Sequence, residues 1–137
     1  MFKKITATIL SVLLLSTVPL FNAKPVFKGY SSEYEVYINS ASSSAEIIRV
    51  SEKEFPFVKE VCGEAIKIEL GQFSLEKFLE EFSAKVVFIE EISEGVSYYA
   101  FSKKIKYRKK IRGKTVNLQI FVGESVTVGT PIICGSF

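Results

Sequence analysis

The stretch Thr115-Val116-Asn117-Leu118-Gln119-Ile120-Phe121-Val122 places Val116, Leu118, Ile120 and Val122 on one parity and Thr115, Asn117 and Gln119 on the other. Successive side chains of a strand point to opposite faces, so this is a half-buried strand with the four aliphatic residues inward and the three polar ones outward. Three further runs of strand character precede it, at Lys85 to Glu91, Val96 to Phe101 and Ile105 to Arg112. Glu94-Gly95, Arg112-Gly113-Lys114 and Gly123-Glu124 provide the turns. Connections this short join antiparallel neighbours, and a strand with one polar side implies a sheet covered on one face only.

Upstream of these strands the period changes from two to between three and four. Leu75, Phe78, Leu79 and Phe82 fall on one helical face, Glu76, Lys77, Glu80 and Glu81 take the other, and Ser74 stands where an N-cap belongs. Glu76 in the first turn suits the positive end of the helix dipole. Glu64 to Leu70 is expected as a strand whose Ala65, Ile66, Ile68 and Leu70 bury one side, entered through a turn at Cys62-Gly63. Before it, Tyr34 to Ile38 and Ile47 to Val50 flank the serine-rich loop Ser40 to Ser44 and predict a hairpin. Ser51 and Glu54 have capping-box spacing, and Pro56 limits any helix there to a turn or two. The expectation is an α+β domain: a curved antiparallel sheet packed against one or two helices, with no repeat or second domain.

The amino terminus has a different character. Met1-Phe2-Lys3-Lys4 is a short basic segment, followed by a mostly apolar run from Ile5 to Phe21 and then Asn22-Ala23. This is the layout of a secretory signal peptide covering residues 1–23, or of an uncleaved signal-anchor. Ser11, Ser16, Thr17 and Pro19 weaken the run as a membrane span, which favours cleavage after Ala23. Either outcome exports the domain, secreted or associated with the envelope, and an uncleaved leader brings membrane contact. Neither cysteine lies near the end of the leader to accept a lipid. Residues 24–32, with Pro25, Gly29 and two serines, are expected as a linker, and 33–137 as the single exported domain.

Composition removes much of enzymology. The chain has no histidine, tryptophan or aspartate, and all fifteen acids are glutamate. Ser-His-Asp triads, Cys-His dyads, aspartic-protease pairs and histidine-based zinc sites are therefore excluded. Glu76 and Glu80 share a helix face and are read as solvated; a glycosidase-type acid and base pair is the less favoured alternative. Glu90 and Glu91 are adjacent on a strand and point apart. No catalytic, cofactor-binding or metal-binding residue is assigned. Gly123, Gly129 and Gly135, with Pro131, lack the helix and Gly-Lys-Ser or Gly-Lys-Thr of a phosphate loop and are taken as strand-end punctuation.

Charge is distributed unevenly. Residues 24–102 carry eight Lys or Arg against fourteen Glu, a balance of −6, and residues 103–137 carry eight against Glu124 alone, a balance of +7. All eight of those cations lie between Lys103 and Lys114. On a continuous strand, Ile105, Tyr107 and Ile111 would point inward and Lys106, Arg108, Lys110 and Arg112 would form an outward row, a candidate polyanion-binding surface. Export removes nucleic acid as a partner and leaves anionic lipid headgroups, phosphate-rich wall polymers or an envelope protein. A solvated strand whose like charges discourage aggregation accounts for the same residues. Cys62 and Cys134 are 72 positions apart; a disulfide between them would stabilise by about 4 kcal/mol, and two buried thiols are the favoured alternative.

Asn117-Leu118-Gln119-Ile120, closely followed by Val126-Thr127-Val128-Gly129-Thr130-Pro131-Ile132, resembles the YwmB family, exported proteins of Gram-positive spore-forming bacteria. Phe82-Ser83-Ala84-Lys85-Val86 adds to the likeness, which spans about residues 78–133. Longer family members carry extra sequence between leader and this region. The resemblance implies a fold similar to the TATA-box-binding protein, export, and no established biochemical activity, so it transfers no catalytic residue. It does not imply DNA binding, because function belongs to sites rather than folds. The functional expectation is a non-enzymatic exported domain that binds or assembles at the cell envelope. The alternatives are an electrostatic binder of anionic lipid or wall polymer through 103–114 and, less favoured, a small glutamate-dependent envelope hydrolase.

Overall fold

A computed structural model describes residues 24–135; the leader expected at 1–23 lies outside the described residues. In chain order the elements are β1 (Glu33–Ile38), β2 (Glu46–Ser51), β3 (Val61–Ile68), α1 (Leu75–Glu81), β4 (Ala84–Ile92), β5 (Gly95–Ser102), β6 (Lys109–Ile111), β7 (Lys114–Val116), β8 (Leu118–Val122) and β9 (Val126–Thr130). Seven strands form one sheet in the order β2-β1-β3-β9-β8-β5-β4, and β6 and β7 pair separately. Every pairing is antiparallel, so with α1 the class is α+β.

The helix forms where its apolar spacing and its cap coincide. Ser74 Oγ accepts the Lys77 amide at 3.3 Å, satisfying one of the amides that the first turn leaves unpaired. Phe78 is buried and packs against Phe27, Phe73, Tyr30 and Phe82. The Ser51–Glu54 box also forms, with Ser51 N donating to Glu54 Oε1 at 2.8 Å and Glu54 N to Ser51 Oγ at 3.3 Å. With Pro56 inside it, it closes only a 3-10 turn at Phe55–Phe57.

The register defines two faces. Ile66, Val128, Ile120 and Tyr98 are cross-strand partners on the side of α1, and three of the four are fully or almost fully buried. Glu35, Ala65, Gly129, Gln119, Tyr99 and Phe88 form a row on the opposite face. The expectation that Asn117 and Gln119 face solvent fails: they are 0% and 3% exposed. The C-terminal segment covers that part of the second face, and the Ile133 amide donates to Gln119 Oε1 at 2.8 Å. The Cys134 amide similarly donates to Tyr37 Oη at 3.0 Å. Periodicity cannot distinguish water from a covering strand of backbone, because both satisfy polar side chains.

That cover also explains two glycines. A Cβ at Gly63 would lie 2.2 Å from the Thr130 carbonyl oxygen, and one at Gly129 would lie 2.6 Å from the Ile132 carbonyl oxygen. Cys62-Gly63 is therefore not the expected turn but part of β3, where glycine permits close backbone approach. Gly129 likewise lies within β9, not at a strand-end turn. β9, placed between β3 and β8, was missed by the alternation pattern because all five of its residues are buried and both its faces are packed.

Residues 24–32 are not a linker. Phe27 is fully buried, with its ring 6.1 Å from that of Phe78 and 5.8 Å from that of Phe82. Burial of such a ring is worth roughly 1.5–3 kcal/mol, enough to hold a segment whose Pro25, Gly29 and serines suggest looseness. The fold therefore includes this segment and does not begin near Glu33.

Candidate functional site

The basic segment is not a continuous strand, and the cause lies in its neighbours. Ser102 N donates to Asn117 Oδ1 at 2.8 Å, while Asn117 Nδ2 donates to the Ser102 and Ile105 carbonyls at 2.7 and 3.1 Å. Ser102 Oγ donates to the Phe82 carbonyl and accepts the Lys104 amide. These bonds end β5 at Ser102 and divert the chain, with Ile105 plugged into the core at 2% exposure. Strand pairing resumes only at β6, whose Lys109, Lys110 and Ile111 face Val116, Thr115 and Lys114 of β7. Arg112 and Gly113 both take positive φ, 54° and 76°, as a two-residue primed hairpin turn requires.

The expected outward row of Lys106, Arg108, Lys110 and Arg112 is therefore dispersed; only Lys110 is in a strand. The Lys106 ammonium lies 5.3 Å from the Tyr107 ring centroid, and the Arg108 guanidinium 4.8 Å from that of Phe101. Arg112 Nη2 donates to Glu90 Oε2 at 2.7 Å and its guanidinium lies 5.5 Å from the centroid of Phe88, which stacks on Tyr99. Lys104 Nζ donates to the Glu81 carbonyl. Lys103, Lys106, Arg108, Lys110 and Lys114 are exposed and form no ion pair among the described residues.

Glu76 and Glu80 are on the exposed face of α1. Glu90 accepts from Tyr99 and Arg112 opposite Ser97, whereas Glu91 pairs across from Val96 and so points to the other face. Among the described residues no group of three or more metal-binding side chains is placed to hold an ion, and no helix is long and apolar enough to cross a membrane. Cys62 and Cys134 are both free thiols. The Cys134 amide meets Tyr37 on the second face, whereas Cys62 sits at the irregularity in the β1–β3 pairing, where its Sγ donates to the Glu60 carbonyl at 3.7 Å.

The sequence did not single out Glu64. It is fully buried, and its two carboxyl oxygens accept the Val26 and Phe27 amides at 2.9 and 3.0 Å. Burial pushes its carboxyl up to about 7 despite those two bonds, which pull the other way. With both oxygens occupied by backbone, it clamps residues 26–27 onto the sheet. Its parity with Ile66 and Ile68 is the signal that could have placed it inward. The same environment acts on Tyr107, where burial and the Glu64 charge push the hydroxyl up to about 12. Compared with known proteins, the chain matches no family model, no curated protein and no solved structure.

Proposed function

We propose that this chain is an exported, non-enzymatic binding domain that holds anionic material of the cell envelope through residues 103–114. The observation that carries this reading is the crowding of five exposed cations, Lys103, Lys106, Arg108, Lys110 and Lys114, without an acidic partner among the described residues. Like charges this close repel one another, and a polyanion relieves that repulsion while releasing its counterions. Cations spread over a turn and a hairpin suit a flexible or diffuse anionic surface better than one rigid ligand.

The basic start and apolar run of residues 1–23 support export. The likeness of residues 78–133 to the YwmB family supports the same location and relates the sheet and its helix to the TATA-box-binding-protein fold. The test is retention of the protein on purified cell walls and anionic vesicles across a salt series, beside a variant with Lys103, Lys106, Lys110 and Lys114 changed to Gln. The expected result is binding that weakens from low to physiological salt and is lost in the variant. Equal retention of the two proteins would refute the assignment.

A further inference from the structure

β4 is an edge of the sheet, and its pairing with β5 is irregular between Val86 and Phe88, leaving Val87 outside the regular register. A cleft of about 490 Å³ opens beside it, lined by Ser83, Lys85, Val87, Phe101 and Lys103. Lys85 and Phe101 are direct cross-strand partners, so both lie on one face of the sheet and line the cleft together. Lys103 follows β5, and the Arg108 guanidinium adds a third positive charge 4.8 Å from the ring centroid. The side chains of Lys85 and Lys103 are exposed and form no hydrogen bond or ion pair among the described residues. Two cations thus line the cleft beside a half-buried aromatic ring on which a third is stacked, with no carboxylate paired to any of them among the described residues.

Such a site suits an anion that carries an apolar body. The cations match a phosphate, whereas Val87 and Phe101 provide surface that a bare phosphate or a sugar-phosphate chain leaves wet. Cationic and apolar side chains lining one cleft match a lipid, where headgroup and acyl chain lie close together. We infer that this cleft binds the phosphate headgroup of an anionic lipid, with Val87 and Phe101 against its glycerol and first acyl carbons. The inference rests on the proposed affinity of the basic segment for anions, but it includes Lys85, which lies outside that segment.

The experiment titrates the full chain with dihexanoyl phosphatidylglycerol below its micellar concentration, following backbone amide shifts, with glycerol 3-phosphate and dihexanoyl phosphatidylcholine as comparisons. Shifts should centre on Ser83 to Val87 and Phe101 to Lys103, and Lys85→Gln should weaken binding roughly fivefold, the contribution of one cation near a lipid surface. Phe101→Ala should weaken it further; the exposed Lys85 variant provides the same test if the ring proves necessary for folding. Equal affinity for glycerol 3-phosphate, or shifts spread evenly over Lys106 to Lys114, would overturn the lipid assignment. If purified cell walls retain the chain but the short lipid leaves the cleft unshifted, the cleft fails and the broader reading stands. If the lipid fills the cleft of a chain whose retention on cell walls and vesicles is unchanged in the four-lysine variant, the cleft stands and the broader reading falls.

Discussion

Changing Glu64 to Gln should flatten the dependence of stability on pH. The carboxyl is raised from an ordinary value of 4.5 to about 7 in the folded protein because burial disfavours its charge. A carboxyl raised by folding stabilises fully below the unfolded value, and that contribution is lost as pH rises through the folded value. The gap between 4.5 and about 7 corresponds to about 3 kcal/mol at 1.36 kcal/mol per unit, a large fraction of an ordinary domain's stability. Gln stays neutral but presents an amide group to one of the two amides that Glu64 now satisfies, which costs about 1–3 kcal/mol at low pH. The assay is urea unfolding of both proteins from pH 4.5 to pH 8. Taking the difference cancels the carboxylates they share. The variant should be less stable at pH 4.5, and wild type should lose about 3 kcal/mol relative to it by pH 8, so that the two become equal or the variant the more stable. Parallel curves would refute the assignment of a buried, titrating Glu64.

Phe27→Ala should destabilise by about 3–5 kcal/mol in denaturant titration, the usual cost of emptying a buried aromatic site; a loss below 1 kcal/mol would restore 24–32 to the status of a linker. Gly63→Ala should cost at least about 1–3 kcal/mol, because its Cβ would meet the Thr130 carbonyl oxygen at 2.2 Å; wild-type thermal stability would contradict the close approach of β3 and the C-terminal segment. Thiol titration in denaturant without reductant should count two free thiols per chain, since Cys62 and Cys134 are unbonded in the fold; a count of zero would overturn that.

How much of the fold was legible depended on whether the deciding interaction was local. The β1–β2 hairpin, the two strands after α1, the Ser74 cap and the apolar face around Phe78 depend on residues a few positions apart, and these matched the structure. Leu70, expected on the buried side of the strand before α1, instead lies in a 3-10 turn at 46% exposure. The basic segment failed because β5 is stopped by Asn117, fifteen positions away from Ser102, a bond that no period of two could reveal. Once the chain diverts there, Lys106, Arg108, Lys110 and Arg112 lose their common face, and Lys85 joins Lys103 across β4 and β5 instead.

By itself the sequence determined the class, the antiparallel pairing, the absence of histidine and aspartate chemistry, and the concentration of positive charge within twelve positions, because composition and short-range periodicity are properties of the chain. Tertiary structure alone decided that Phe27 belongs to the core, that Glu64 is a buried clamp, that Asn117 and Gln119 face inward, and that β9 joins the two halves of the sheet. Each of these depends on which distant segment supplies the partner for a polar or apolar group, and burial is decided by that partner.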